Sequence, residues 1–194
     1  MSKKKKTIIG VIIAIICLIT IPITVVFSIK SINKYVEQRK HERLLKETMA
    51  EVTYINENSD FCGIELMDSP PKNFERWETN TIWNEKNRVG SYYCWEFNRK
   101  YCINEITIES CSGNVLGMYV GENYDKAIEL MTERNYVLNS EKEESDNNTR
   151  YLYKKAYVKI VFEVTPENDI AEIFVNIWDP YNMEQYACIN YYPN

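Results

Sequence analysis

The stretch Val158-Lys-Ile-Val-Phe-Glu-Val164 decides the fold, because it alternates between apolar and polar residues and is rich in β-branched side chains. Such alternation predicts a β-strand with one buried face. The next residues, Thr165-Pro-Glu-Asn-Asp169, are typical of a turn, and Ile170 to Trp178 alternates in the same way. The sequence therefore predicts an antiparallel hairpin.

A second hairpin is predicted earlier in the chain, formed by Tyr92 to Phe97 and Tyr101 to Ile108. Tyr151 to Tyr153 is a further strand candidate. Strands joined by short turns pair antiparallel, and a sheet with one apolar face needs helices to cover it. We therefore expect an α+β protein in which helices pack on an antiparallel sheet.

Two helices are predicted to supply that cover. The second begins with Asn123, a residue type favoured at the N-cap, and ends near Asn135, which tolerates a left-handed backbone. Pro70-Pro71 is suited to open the first. The residues on their apolar faces are Phe74 and Trp77 in the first helix and Tyr124, Ala127, Ile128 and Met131 in the second.

The chain also contains an internal similarity. Residues 62–77 align with residues 116–131, and Ile103-Asn-Glu-Ile-Thr-Ile108 aligns with Ile170-Ala-Glu-Ile-Phe-Val175. We interpret this as a tandem duplication of one helix–hairpin unit, with chance similarity as the alternative. The predicted boundaries are 57–110 for the first α+β unit, 111–178 for the second and 179–194 for a C-terminal tail.

The second unit has a recognisable pattern of turn glycines and apolar spacing. Its helix is preceded by Gly117-Met118 and Gly121-Glu-Asn, contains Ala127-Ile-Glu-Leu-Met and is closed by Asn135-Tyr136. On these residues the unit resembles the helix-plus-hairpin repeat of the β-lactamase-inhibitor-protein-like fold, shared with small bacterial envelope lipoproteins. The likeness covers most of residues 61–178, but Tyr119 stands where that family often has Thr, and its usual Cys spacing is missing. The resemblance implies protein binding or envelope assembly without catalysis.

An uncharged apolar run extends from Thr7 to Ile29. Spanning a bilayer takes roughly 20 apolar residues, so the run predicts a transmembrane helix. The alternative, a cleaved signal peptide, has a shorter apolar core and a small-residue cleavage site. Lys3–Lys6 form a basic tail, residues 1–6, that favours a cytoplasmic N-terminus and an extracytoplasmic C-terminal domain. Residues 30–56 are interpreted as a helical stalk, in preference to a short coiled coil.

The charge is unevenly distributed between the first part of the chain and the rest. Residues 1–52 hold ten Lys/Arg and four Asp/Glu, whereas residues 53–194 hold 13 and 24, a net of −11. The basic first part suits contact with anionic lipid headgroups of the plasma membrane. An acidic domain repels phosphate backbones, which argues against nucleic acid as a partner. The expected partners are the lipid bilayer and another envelope protein or wall component.

The chemistry expected of an enzyme is not apparent. The single histidine, His41, lies in the predicted stalk, and no nucleotide, nucleophile or metal motif is present. We therefore expect no cofactor, no metal and no catalytic activity. The alternative is a carboxylate-based hydrolase acting on a carbohydrate or wall polymer, with Glu105, Glu109 and Glu172 as candidate carboxylates.

Aromatic residues make up 13% of the chain, with 15 Tyr and 4 Trp, a composition that suits recognition surfaces. Tyr93 and Trp95 share one face of a predicted strand, and Phe174 and Trp178 lie opposite the aliphatic residues of another. If the aliphatic face meets the helices, these four side chains form a binding surface. The alternative is that they are core residues.

Five cysteines lie outside the apolar run, so at least one cannot pair within the chain. Cys94 and Cys102 flank the predicted turn of the first hairpin. A disulfide between them is one interpretation if the domain lies outside the cell. Burial as small apolar side chains is the other.

Overall fold

The computed structural model has the predicted α+β architecture, and it describes residues 3–70, 80–97, 100–143 and 147–179. Side chains are described for residues 28–70, 80–94, 101–142 and 147–179. The elements in chain order are α1 Lys3–Asn58, β1 Asn80–Asn84, β2 Asn87–Phe97, β3 Lys100–Ile108, β4 Asn114–Val115, β5 Met118–Tyr119, α2 Asp125–Glu133, β6 Val137–Glu143, β7 Thr149–Lys155, β8 Val158–Val164 and β9 Ile170–Ile177.

The chain divides into two compact units, Met1–Arg43 and Leu44–Asn194. In the first unit α1 carries a local pair, in which Arg39 Nε donates to the Tyr35 hydroxyl at 2.9 Å. The predicted span, residues 7–29, lies within α1, but side chains up to residue 27 are outside the described ones. Where side chains are described, no helix is both long and apolar enough to cross a membrane.

In the second unit seven strands form one antiparallel sheet in the order β1-β2-β3-β9-β8-β7-β6. Both predicted hairpins are present: β2 pairs with β3, and β8 pairs with β9. The strand predicted at Tyr151 to Tyr153 is the longer β7. The edge strands β1 and β6 were not predicted. A separate two-stranded sheet joins β4 and β5.

One face of the large sheet is covered by helices. Val52 and Ile55 at the end of α1, and Ala127 and Met131 on α2, are buried in one cluster with the inward-facing strand residues. Each aliphatic side chain removed from water contributes about 1.5–3 kcal/mol, so this layer contact is the main source of stability. The end of α1 is thus part of the domain, whereas the sequence placed it in a stalk extending to residue 56.

Helix α2 follows its prediction with two corrections, one of which is that Ile128, expected on the apolar face, is 41% exposed. The other concerns the start of the helix. It begins at Asp125, with Tyr124 in the N-cap position, so the N-cap expected at Asn123 is displaced by one residue. Asn123 Oδ1 still accepts a hydrogen bond from the Asp125 N–H at 3.0 Å. Asn135 has a φ of 60°, the left-handed conformation expected at the helix end. The helix predicted after Pro70 falls on residues 71–79, outside the described residues.

The two segments that align in sequence share an unusual backbone. Cys62-Gly63 has φ values of 55° and 82°, and Leu116-Gly117 has 55° and 77°. Four residues after each glycine the backbone is left-handed again, at Met67 with φ 63° and at Gly121 with φ 89°. Positive φ is uncommon outside glycine, so agreement at three aligned positions shows that the two segments have similar turn conformations.

Each turn is tied to a strand by the same pair of backbone hydrogen bonds. The Ile103 carbonyl accepts from Met67 N at 2.6 Å, and Ile103 N donates to the Asp68 carbonyl at 2.9 Å. In the second turn the Ile170 carbonyl accepts from Gly121 N at 2.7 Å, and Ile170 N donates to the Glu122 carbonyl at 2.8 Å. The two turns therefore bind equivalent residues of the aligned segments, although Ile103 lies within β3 and Ile170 begins β9.

Equivalent positions of the two halves also meet each other. Asp60 and Asn114, 54 residues apart like the glycines of the two turns, exchange backbone hydrogen bonds of 3.1 and 3.0 Å. Thr107 and Phe174, which align in sequence, are directly opposite in the β3–β9 pair. In both pairs, positions that align in sequence are partners in an antiparallel backbone pairing.

A buried ion cluster fixes α1 to the rest of the second unit. Glu51, 4% exposed, accepts hydrogen bonds from Arg134 at 2.8 Å and from Lys155. The Tyr136 hydroxyl donates to the same carboxylate at 3.2 Å. Burial acts to raise the pKa of Glu51, but the bonds from Lys155 and Arg134 outweigh it and hold the pKa below its ordinary value. The carboxylate is therefore ionised and fully paired.

Replacing Glu51 with Gln should lower the free energy of unfolding by about 3 kcal/mol at neutral pH, because two half-buried cations lose their buried counter-charge. The wild-type advantage should vanish as the pH falls through the depressed Glu51 pKa, since stability from a depressed carboxyl is present only above it. Denaturant unfolding at neutral and acidic pH measures both effects. Glu47→Gln, an exposed change one turn earlier in α1, serves as the control. Equal stabilities of the two variants at neutral pH would contradict the cluster.

Candidate functional site

The sheet face turned away from α1 and α2 is here named the outer face. Along β9, Ile173, Val175 and Ile177 are at most 1% exposed and point into the core. Strand alternation then places Phe174 and Asn176 on the outer face. Phe174 lies opposite Thr107 on β3 and Val161 on β8, so the outer face has an apolar centre.

A cavity of about 270 Å³ opens at this centre. Its lining combines an apolar floor with charged walls and consists of Thr107, Arg150, Val161, Glu163, Glu172 and Phe174. All six side chains come from neighbouring strands of one sheet, β7, β8, β9 and β3. The site is thus held by regular backbone pairing, which fixes side-chain positions well.

The charges in the wall are unequally compensated. Arg150 Nε donates to Glu163 at 2.8 Å, and Asn148 Nδ2 donates to the same carboxylate at 2.9 Å. Glu172 lies directly opposite Glu163 in the β8–β9 pair. Among the described residues no hydrogen bond or ion pair to the Glu172 carboxylate is present. Burial raises the pKa of Glu172, and the negative charge of Glu163 adds to the rise, while the positive charge of Arg150 opposes it.

The other half of the outer face holds the aligned carboxylate, Glu105, in a different setting. Asn176 Nδ2 donates to Glu105 at 3.0 Å. Burial raises the pKa of Glu105, although the Asn176 hydrogen bond and the Lys159 charge oppose the rise. The Lys159 ammonium lies 4.9 Å from the centre of the Trp178 ring. In this half the carboxylate has partners within the chain, whereas the half around Glu172 contains the cavity.

The four aromatic residues predicted as a binding surface have different outcomes. Phe174 is half-buried and lines the cavity. Trp178 is half-buried under Lys159, and Tyr93 is half-buried on β2, opposite Glu105. Trp95 lies opposite Cys102 in the β2–β3 pair, but its side chain is outside the described residues.

Sequence reasoning missed Thr107, Arg150, Val161 and Glu163 as parts of the site. The signal for two of them was present in the strand Val158–Val164, since Val161 and Glu163 occupy its outward positions. Joining that strand to the turn at 165–169 would have placed them beside Phe174 and Glu172. Arg150 had no such signal, because its position depends on the pairing of β7 with β8.

Cys94 and Cys102 do not face each other as expected. β2 and β3 pair as far as Phe97 and Lys100, so the connection between them is one residue shorter than a Cys94–Cys102 cross-strand pair requires. Cys102 therefore lies opposite Trp95, and Cys94 opposite Ile103. Both thiols are buried, and burial raises the pKa of Cys94 to about 11 and that of Cys102 to about 12. Such thiols are poor nucleophiles.

The carboxylates of the hydrolase alternative are spread along the sheet. Glu105 is opposite Asn176, four residues from Glu172 on β9, which separates the two carboxylates by roughly 13 Å. Paired catalytic carboxylates lie about 5–10 Å apart. Glu109 is occupied in an ion pair with Arg88 at 2.8 Å. In the described part of the chain, no three His, Cys, Asp or Glu side chains are placed to hold a metal ion.

No protein-family model matches the chain, and no curated protein or solved structure matches it at a significant level. The resemblance to the β-lactamase-inhibitor-protein-like fold therefore stays a prediction.

Replacing Glu172 with Gln should raise the free energy of unfolding at neutral pH and change it little in acid. The pKa of Glu172 is raised in the folded protein, so ionising it destabilises the fold as the pH rises. The charged groups that act on the Glu172 carboxyl are Glu163, Arg150 and Glu109. The substitution leaves all three in place. Denaturant unfolding at two pH values measures the difference.

The matched control is Glu105→Gln, at the aligned position of the other half. It should stabilise the protein less. Each variant loses one attraction, that of Lys159 or that of Arg150, but Glu105 also accepts a hydrogen bond from Asn176, whereas Glu172 is repelled by Glu163. If Glu172→Gln gained nothing at neutral pH, the carboxylate would have to be better solvated or better paired than the structure indicates.

Proposed function

We propose that the protein is a membrane-anchored, extracytoplasmic binding or envelope-assembly module that holds its partner on the outer sheet face. The observation that carries the proposal is the Phe174 cavity. It lies on a sheet face that no described helix covers, while the opposite face is fully packed. Half-buried aromatic and aliphatic side chains beside an unpaired carboxylate are typical of protein recognition sites.

The membrane anchor is supported by length and charge. Residues 7–29 lie within α1, and a helix of that length is roughly 35 Å long, enough for the ~30 Å apolar core of a bilayer. Lys3–Lys6 precede the run without an acidic neighbour, which favours retention of the N-terminus in the cytoplasm. The acidic domain that follows would then lie outside.

Internal duplication accounts for the organisation of the domain. It is supported by the repeated left-handed turn, by the repeated hydrogen bonds at Ile103 and Ile170, and by the pairing of Thr107 with Phe174. Under this proposal the outer face consists of two half-sites of common origin. In the half around Glu105 the carboxylate has acquired partners from the chain itself, and the half around Glu172 has kept an open cavity.

A hydrolase is favoured by one observation only, the direct opposition of Glu163 and Glu172 beside the cavity. One has a raised pKa, as a general acid needs. However, the two carboxylates project side by side from one flat sheet, and Glu163 is held by two donors. A substrate must pass between an acid and a nucleophile, so this arrangement fits a binding wall better.

The topology has a direct test. Protease added to intact cells should remove an epitope fused after the last residue, since the domain is proposed to face outward. An epitope placed before Lys3 should survive until the membrane is opened. Protection of the C-terminal epitope in intact cells would reverse the proposed orientation.

The binding face is tested by a photo-crosslinking amino acid placed at single positions in cells. A crosslinker at Phe174 should give a discrete product with a partner, and the same group at Ile128, exposed on α2 in the other layer, should not. Phe174→Ser should weaken that association at least tenfold while lowering the melting temperature by only a few degrees, because the ring is half-buried.

Two results would count against the face. Equal products from positions 174 and 128 would mean that contact there is not specific. A large drop in the melting temperature of Phe174→Ser would mean that Phe174 is a core residue and that the outer face is no binding site.

A further inference from the structure

We propose that the cavity on the outer face receives a cationic side chain of the partner, with its ammonium or guanidinium on the Glu172 carboxylate and its stem on Phe174 and Val161. This inference rests on the proposed function and names the chemistry of the partner at the same site. The partner is therefore an envelope protein that presents a lysine or arginine to the sheet.

The size of the cavity favours a single side chain. Small-molecule sites usually occupy about 300–1,000 Å³, and this cavity, at about 270 Å³, lies below that range. A long unbranched stem ending in a charge fits a space with an apolar floor and one charged wall. Lysine and arginine bury their stems on apolar surface while the charged end meets a polar group.

The sign of the charge follows from which wall groups are already paired. Arg150 is held by Glu163 at 2.8 Å and its charge also acts on Glu172, so this one cation is set against two carboxylates of the wall. Glu172 is half-buried opposite Glu163 and has no donor among the described residues. A desolvated carboxylate beside a second carboxylate gains most from a cation. The net charge of −11 over residues 53–194 would steer a basic partner towards the domain.

The aromatic floor adds a second reason for a cation. The face of a phenyl ring attracts an ammonium or guanidinium that approaches within about 6 Å. The same protein already uses this contact on the outer face, where Lys159 lies 4.9 Å from the Trp178 ring centre. In that half the cation comes from the chain itself and also acts on Glu105. In the half around Glu172 the corresponding cation would come from the partner.

The test uses the full chain in zwitterionic lipid nanodiscs, with its valine methyl groups labelled for NMR. The probes are n-butylammonium and n-butylguanidinium, which carry the ends of lysine and arginine, and 1-butanol as the neutral isostere. Both cations should shift the Val161 methyl signals saturably and leave those of Val175, in the core, unchanged. Butanol should shift Val161 far less at the same concentration.

Variants locate the charge that is responsible. Glu172→Gln should weaken butylammonium binding about tenfold, the loss of one charge-assisted hydrogen bond. Glu105→Gln, the aligned control, should change it less than twofold. The relative strength of the two cationic probes shows whether the site favours lysine or arginine.

The inference is overturned if butanol shifts Val161 as strongly as the cations do, a comparison that needs no variant. It is equally overturned if Glu172→Gln and Glu105→Gln weaken binding alike. Crosslinking at position 174 tests the proposed function and does not depend on the charge of the ligand. A partner captured there, with no cation preference in the cavity, would leave the proposed function in place and remove only the cationic side chain.

Discussion

The pairing of β3 with β9 is the constraint on which the rest of the second unit depends. It joins two hairpins that are far apart in the sequence and places Thr107 opposite Phe174. Once that register is set, alternation sends Ile173, Val175 and Ile177 into the core and Phe174 to the outer face. A slip of one residue would exchange the two faces completely. The core and the candidate site are therefore specified by the same backbone hydrogen bonds.

The hairpins could be predicted because alternation is a local signal. β8 and β9 begin where the sequence indicates, and the aliphatic side of β9 is the buried one. β6 was missed, since Val137-Leu-Asn-Ser-Glu-Lys-Glu143 carries little alternation. As an edge strand it needs no apolar face, and Val137 is 67% exposed.

The buried charges could not be predicted, because their partners lie far along the chain. Glu51 looks like one more charge of a solvated helix, yet Arg134 and Lys155, 83 and 104 residues away, bury and neutralise it. Alternation along β9 is enough to place Glu172 on the outward side of that strand, where it lies. What alternation does not reveal is that neighbouring strands half-bury it beside Glu163. The cavity depends on the order of the strands in the sheet, and that order cannot be predicted from a single sequence.

The central claim is that the outer face at Phe174 is open to a partner. Paramagnetic relaxation by a soluble gadolinium chelate tests it most directly, because the effect reports how closely solvent approaches each methyl group. The account predicts strong relaxation of the Val161 methyl signals and little relaxation of those of Val175, which is fully buried. Equal protection of both would show that the outer face is covered in the free protein, and it would contradict the account.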